Sequence, residues 1–303
     1  MKFQHLIEYF FFTLLGAFVR RWPLETVQRM GAVCGARVYG LGFRKQVTQQ
    51  NLRSAYPEKS VSELDQLARA SYRSVGTTLF EFLWFPCLTK ETVQLVSRIE
   101  NPDVVREIHG RGKGVILSTA HFGNWELLAQ GMYAALDLPI TIIVKPQSNP
   151  YVDEKINLWR TQWGNKVVPM GIAVREILRA LQSGGIVGMV ADQSAPKESI
   201  AVEFFGRSVP TYEGPAVFSL KTGAPIMMGF AIRQPDGTYR TQFEEVPSGD
   251  LTEYNEQTVL ELTRRYVEIT ERFIRQYPDH WMWMHKRWKH ASAHEQSGEV
   301  RSS

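Results

Sequence analysis

The stretch Gly112-Lys113-Gly114-Val115-Ile116-Leu117-Ser118-Thr119-Ala120-His121-Phe122-Gly123-Asn124-Trp125-Glu126-Leu127-Leu128 narrows the choice of fold more than any other part of the chain. Val115 to Leu117 is a short apolar run with glycines before it and small residues after it, the pattern of a buried strand rather than a helix. Leu127 to Leu136 has the composition of a helix. The turn between them carries His121 and Glu126, with Gly123 permitting a sharp backbone path and Asn124 available as helix N-cap. Five residues of regular helix would leave about 140° between the two side chains, so His121 must sit in the loop. Glu126, in the first helical turn, could then reach back to one imidazole nitrogen while the other faces a cleft, the arrangement of an oriented general base. A His-x4-Glu spacing is common by chance. Its position at a strand's carboxyl end, where open α/β sheets bind ligands, is what singles it out.

The residues that follow repeat the alternation. Ile140–Val144, Lys166–Pro169 and Ile186–Ala191 read as strands, and Pro150–Trp163 and Ile172–Leu181 as the helices between them. Short connections between such elements imply a mostly parallel central sheet flanked by helices on both faces, an α/β fold. Asp192-Gln193 lies just past a strand end, on the same rim as His121; capping a turn is the other reading of Asp192. Ala201–Pro210 reads as a hairpin around Gly206-Arg207. Pro225–Arg233 and Tyr239–Val246 form a second hairpin around Pro235-Asp236-Gly237. Further helices are expected over Ser62–Phe85, after a break at Asn51–Ser60, and over Val104–His109, Glu213–Lys221 and Tyr254–Gln276. Thr89–Glu100 should include a short strand. The run His280–Lys289 mixes tryptophans with basic residues and could lie at a membrane surface or pack on the domain.

At 303 residues the chain can bury a large core, and 12% aromatic content excludes a disordered polypeptide. A mean hydropathy of −0.24 excludes a polytopic membrane protein. Leu6–Val19 is apolar but short for a span, which needs about twenty residues, and Glu8 interrupts its start. Arg20-Arg21-Trp22 directly after it argues against cleavage as a signal peptide. A retained anchor is expected, tilted through the bilayer or embedded in one leaflet; if it spans, Arg20 and all that follows face the cytoplasm. Net charge is +4 with a pI near 9.0, a mild excess that suits an anionic membrane or an acidic partner and does not call for nucleic acid. Basic residues from Arg20 to Arg53 stand among Trp22, Leu41 and Phe43, as on an interfacial face or a solvated helix. Cys34 and Cys87 form no disulfide framework or zinc signature, and a reducing compartment is the simpler choice. Three units are expected: 1–50 as membrane anchor and basic amphipathic segment, 51–290 as the α/β domain, and 291–303 as a disordered tail.

His-Phe-Gly-Asn-Trp-Glu over 121–126, preceded by Gly-Val-Ile-Leu-Ser-Thr-Ala, closely resembles the H-x4-D/E block of glycerolipid-type acyltransferases. It is most similar to the branch containing bacterial lipid A late (secondary) acyltransferases. Asn157-Leu158-Trp159-Arg160 with Gly164, Val190-Ala191-Asp192-Gln193, Phe204-Phe205-Gly206, Gly214-Pro215-Ala216 and Thr222-Gly223-Ala224-Pro225 agree in order, and the resemblance runs to about Lys289.

The resemblance implies a glycerolipid acyltransferase-like fold and an O-acyltransferase that needs no cofactor or metal. His121 would take the proton of an acceptor hydroxyl as it attacks an acyl thioester, and Glu126 would hold the imidazole tautomer. Arg160 would belong to the family's second motif; as an exposed helix residue it would instead pair with Asp153. The developing oxyanion could be met by backbone N–H groups near Gly123 and Asn124 or by Arg160. Arg160, Asn124, Gly123 and Asp192 are thus the expected substrate-binding residues. The implied acceptor is a lipid A precursor at the cytoplasmic side of a bacterial inner membrane, and the implied donor is acyl carrier protein or acyl-coenzyme A. Acylation of another glycolipid or lysolipid from acyl-coenzyme A, and non-catalytic lipid binding, are the alternatives. A serine hydrolase would need a Gly-x-Ser-x-Gly elbow, which the chain lacks.

Overall fold

A computed structural model of the chain describes residues 3–291. Four helices come first: α1 (Phe3–Val19), α2 (Leu24–Gly40), α3 (Lys45–Ala55) and α4 (Val61–Trp84). The alternating region follows, with α5 (Lys90–Val96), β1 (Ser97–Ile99), α6 (Pro102–Gly110), β2 (Val115–Thr119), α7 (Trp125–Leu136), β3 (Ile140–Val144), α8 (Pro150–Arg160), β4 (Lys166–Pro169), α9 (Ala173–Gln182) and β5 (Ile186–Val190). The chain closes with β6 (Ala201–Phe204), β7 (Arg207–Pro210), α10 (Gly214–Thr222), β8 (Ile226–Arg233), β9 (Tyr239–Glu245) and α11 (Glu256–Gln276).

Seven strands form one sheet in the order β1-β9-β8-β2-β5-β3-β4. It is the mostly parallel sheet expected from the alternation. Only the β8–β9 pair is antiparallel, and β6 and β7 make a separate two-stranded hairpin. Strand β2, at the centre, is buried at every residue because both its faces are covered. Ile116 joins a core that includes residues of α9, α10 and α11. Val115 and Leu117 join the opposite core, with residues of α6 and α7.

The break expected from Asn51 to Ser60 begins later. Helix α3 runs on to Ala55 because the Asn51 amide does not compete for its own backbone; it donates to the Trp283 and His285 carbonyls, at 2.7 Å each. Ser60 then opens α4 with a reciprocal capping box to Glu63. The aromatic run near the C-terminus packs on the domain: Trp281 and Trp283 are fully buried, while Lys286 and Lys289 stay exposed. The part of the expected disordered tail from residue 292 lies outside the described residues.

Among the described residues no helix is long and apolar enough to cross a membrane. One side of α1 is held to the domain, with Phe12 stacked on Trp159 and Val19 fully buried. Its other side exposes Phe3, Phe10, Phe11, Leu14 and Phe18. Helices α2 and α4 cross almost backbone to backbone. A Cβ on Gly35 would stand 1.9 Å from the Tyr72 carbonyl oxygen, and one on Gly76 2.3 Å from that of Gly31.

That crossing makes a direct test. Gly35→Ala should lower unfolding stability by about 3 kcal/mol, since two helix backbones must part to admit one methyl. Gly40→Ala, in open space on the same helix, should stay within about 0.5 kcal/mol of the parent. Denaturant titrations of both variants in the same detergent give the comparison, and equal midpoints would rule out the close contact as a source of stability.

Candidate active site

Parallel pairing of β2 with β5 sets the site. Thr119 is in register with Val190 at the carboxyl ends of the two strands. His121 and Asp192 each lie two residues further on, so the register that pairs the strands brings these side chains together. The Asp192 Oδ1 oxygen is 2.7 Å from His121 Nδ1, and its Oδ2 accepts the His121 backbone N–H at 2.9 Å. Trp281 Nε1 donates to Oδ2 as well, at 2.7 Å. The carboxylate side chain is closed off at 4% exposure, while the imidazole keeps 22%. On its open side, Nε2 lies 3.3 Å from the Gln193 amide nitrogen. With Nδ1–H donated to Asp192, Nε2 is the unprotonated nitrogen and receives the Gln193 amide N–H.

Charge reinforces that orientation. Burial works against the imidazolium, but the adjacent Asp192 charge and its hydrogen bond outweigh it, holding His121 above the ordinary histidine value. Burial likewise works against the carboxylate, and the His121 charge with three donated hydrogen bonds keeps Asp192 below the usual range. His285 accepts the Ser194 N–H on Nε2 at 3.1 Å; burial pushes its pKa down and favours the neutral ring.

The turn carrying His121 is fastened on every side. Gly123 has φ +54°, and a Cβ there would fall 1.8 Å from the Ala231 carbonyl oxygen, so only glycine fits. Its N–H donates to the His280 carbonyl at 2.9 Å and its own carbonyl accepts from Thr78 Oγ1 at 2.7 Å. The Met282 N–H closes onto the His121 carbonyl at 3.1 Å. Asn124 caps α7 as expected, its Oδ1 accepting the Leu127 N–H at 2.8 Å. Its Nδ2 donates to Glu81 Oε2, a buried oxygen that also receives Tyr239 and Arg233, while Gln28 donates to Oε1.

The carboxylate on the imidazole is therefore Asp192, not the expected Glu126. Glu126 points from the first turn of α7 towards the end of α8, where Arg160 Nε and Nη2 meet its two oxygens at 2.9 and 2.5 Å. Arg160 also donates to Asn157 Oδ1 at 3.3 Å, while Asp153 takes the Asn157 amide and the Gln147 N–H. The alternative Asp153–Arg160 pair thus gives way to a bidentate Glu126–Arg160 pair. Both groups stand near enough to act on the His121 charge, with opposite signs.

Of the expected substrate-binding residues, Asp192 and Arg160 sit at the rim beside His121. Gly123 and Asn124 are buried and committed to the scaffold: the Gly123 N–H already has its acceptor and both ends of the Asn124 amide are used. They hold the turn instead of facing substrate. Glu81 and Trp281 complete the site from far along the chain. The only sequence hint for Glu81 was a charge among apolar positions of α4, and for Trp281 its place in an aromatic run.

The family profile described as "Bacterial lipid A biosynthesis acyltransferase" matches residues 1–290. The chain is 24% identical over 279 residues to the lipid A biosynthesis lauroyltransferase of Escherichia coli (strain K12), covering 88% of this chain and 86% of that protein. It is 26% identical over 267 residues to the palmitoleoyltransferase of lipid A biosynthesis from the same strain, covering 86% and 83%. It is also 22% identical over 281 residues to the phosphatidylinositol mannoside acyltransferase of Mycolicibacterium smegmatis (strain ATCC 700084 / mc(2)155), covering 88% of each. With a family match over nearly its whole length, the chain belongs to the bacterial lipid A biosynthesis acyltransferases and is an acyltransferase enzyme.

Proposed function

We propose that this protein moves a fatty acyl chain from an acyl thioester to a hydroxyl of a lipid A precursor, with His121 as general base oriented by Asp192. The observation that carries the reading is the 2.7 Å Asp192–His121 contact, which occupies Nδ1 and leaves Nε2, with only the Gln193 amide at 3.3 Å, as the nitrogen able to take a proton. The acceptor O–H gives its proton to Nε2 as its oxygen bonds to the thioester carbonyl carbon. The resulting imidazolium is stabilised by Asp192. Collapse of the tetrahedral intermediate breaks the C–S bond, and the thiolate leaves with the proton from Nε2. No enzyme nucleophile takes part, and Ser118, buried at the strand end, is structural.

The developing oxyanion is assigned to Arg160. Glu126 takes Nε and one N–H of Nη2, and Asn157 takes one N–H of Nη1; the second N–H on each Nη is left to meet it, so Glu126 aims Arg160 and does not hold the tautomer. Among neutral lipids the exposed apolar side of α1 has an obvious place. Seventeen residues of helix are about 25 Å long, short of the ~30 Å hydrocarbon core, which favours lying in one leaflet over spanning. On this reading the carboxyl rim of the sheet works at the cytoplasmic face of an inner membrane. Exposed Arg44, Lys286 and Lys289 near the rim suit an anionic headgroup or an acidic acyl carrier protein. A second acceptor class, phosphatidylinositol mannosides, is favoured by the likeness to the mycobacterial enzyme over 88% of each chain, with acyl-coenzyme A as the alternative donor.

Membranes carrying the protein, offered each donor with each acceptor and read by mass spectrometry, distinguish these pairs. His121→Ala should abolish transfer while folding and membrane association persist; turnover in that variant would refute the assigned base.

The pH dependence follows from the dyad. The active form is the unprotonated ring, so activity falls as pH drops through the raised His121 pKa. Asp192→Asn removes what raises that pKa, and should move the acid limb of kcat/KM to lower pH while kcat falls by about 10²–10⁴-fold. An acid limb left in place would mean that Asp192 does not act on the base.

A further inference from the structure

Beside Asp192 lies a cavity of about 10 Å³ lined by Ser118, Ala191, Asp192, Phe204, Tyr266 and Arg287, among others, and not by His121. That is room for about one water molecule. Arg287 is 2% exposed. Its guanidinium donates to two neutral oxygens just past β7, Nη1 to the Pro210 carbonyl and Nη2 to Thr211 Oγ1, both at 2.7 Å, and lies over the Phe204 ring. Among the described residues it forms no ion pair. Burying a guanidinium among neutral groups is costly, and such a charge persists in a folded chain when an opposite charge shares its low-dielectric surroundings. The carboxylate that shares this cavity is Asp192. Ser118 Oγ, buried without a hydrogen-bond partner, belongs to the same lining.

We infer that Arg287 is a positioning residue for acyl transfer: a fixed cation that faces Asp192 across this cavity, keeps it ionised, and limits how strongly it raises the basicity of His121. The inference rests on the reading of Asp192 as the group that orients the base. The neighbouring charges are these: His121 feels Asp192 and, with opposite signs, Glu126 and Arg160; Asp192 shares its cavity with Arg287 and bonds His121; His285 feels Asp192, His121, Arg44 and Arg287. Tyr266 of α11 is the other titratable group facing Arg287, and Glu213 acts on Tyr266 in turn. Burial lowers the Arg287 pKa to about 10, which leaves it charged at neutral pH.

Two consequences separate this role from packing. Arg287→Met and Arg287→Gln remove the charge, so Asp192 acts on the imidazolium unopposed and the acid limb of kcat/KM should move to higher pH, by about one unit. Arg287→Lys keeps the charge and should leave the limb near its original place even if stability falls.

The experiment is the pH profile of acyl transfer by the full chain in membranes, with ¹⁵N-histidine titration in detergent reporting the same midpoint independently of turnover. A charge-free variant that folds and titrates like the parent overturns the inference. If Asp192→Asn itself fails to move the midpoint, the reading of the dyad falls first. If it moves the midpoint and Arg287→Gln does not, only the role of Arg287 falls. Should both charge-free variants fail to accumulate while Arg287→Lys folds with an unshifted profile, the charge and not the hydrogen-bonding fork is what the site requires. If Arg287→Lys fails as well, the fork is what matters and the inference is overturned.

Discussion

The register between β2 and β5 is the constraint on which the site depends. Parallel strands one hydrogen-bonding row apart place equivalent positions about 4.8 Å from each other, and the pairing of Thr119 with Val190 extends to His121 and Asp192 just beyond the strand ends. A slip of one residue would turn one of these side chains to the opposite face of the sheet and leave a buried carboxylate without its partner. Register is in turn secured by burial on both faces. Ile116 and Val187 are committed to one core and Val115, Leu117 and Ile186 to the other. A slipped strand would therefore exchange residues between two packed interiors, and no exposed face could absorb the error.

Two buried carboxylates extend this constraint from the strands to the turn. Asp192 accepts from the His121 backbone, the His121 ring and Trp281. Glu81 receives Asn124, Tyr239, Arg233 and Gln28. A carboxylate deprived of water is destabilising unless donors replace its hydration, and each of these has several. The donors come from distant parts of the chain: the Asp192 network closes only when β2, β5 and the C-terminal segment are in place, and the Glu81 network only when α2, α4, β8 and β9 are. The turn carrying His121 is thus fixed by completion of the whole fold.

The sheet was legible from sequence because its signals are local. Short apolar β-branched runs such as Ile140–Val144, glycine stops, and Pro235-Asp236-Gly237 between two strands each report on their own few residues. The loop position of His121 and the cap at Asn124 were legible for the same reason. Partnerships were not. Asp192 was visible as a polar residue on the correct rim, but its bond to His121 spans 71 residues and depends on strand order, which periodicity does not encode. Trp281 looked equally suited to a membrane surface or an interior, since its indole N–H reveals a partner only after the C-terminal segment has folded under the turn. Asn51 read as a break because its side chain often competes with helix backbone, and here it bonds elsewhere.

The H-x4-E spacing takes a different meaning from this geometry. With His121 in the loop, the start of α7 intervenes between it and Glu126, and the helix directs Glu126 sideways, towards the last residue of α8. Two carboxylates then serve one rim without sharing a partner: Asp192, from the end of the neighbouring strand, meets a titratable imidazole, and Glu126, from the helix, meets a permanent cation. A carboxylate shared between His121 and Arg160 would be drawn towards the guanidinium, which is always charged, and would weaken its hold on the imidazole. Dividing the duties keeps Asp192 on the ring and, under the proposed mechanism, keeps Arg160 aimed while the charge of the ring changes. The short motif therefore marks the histidine and the carboxylate that holds Arg160, and the sheet supplies the histidine's own partner.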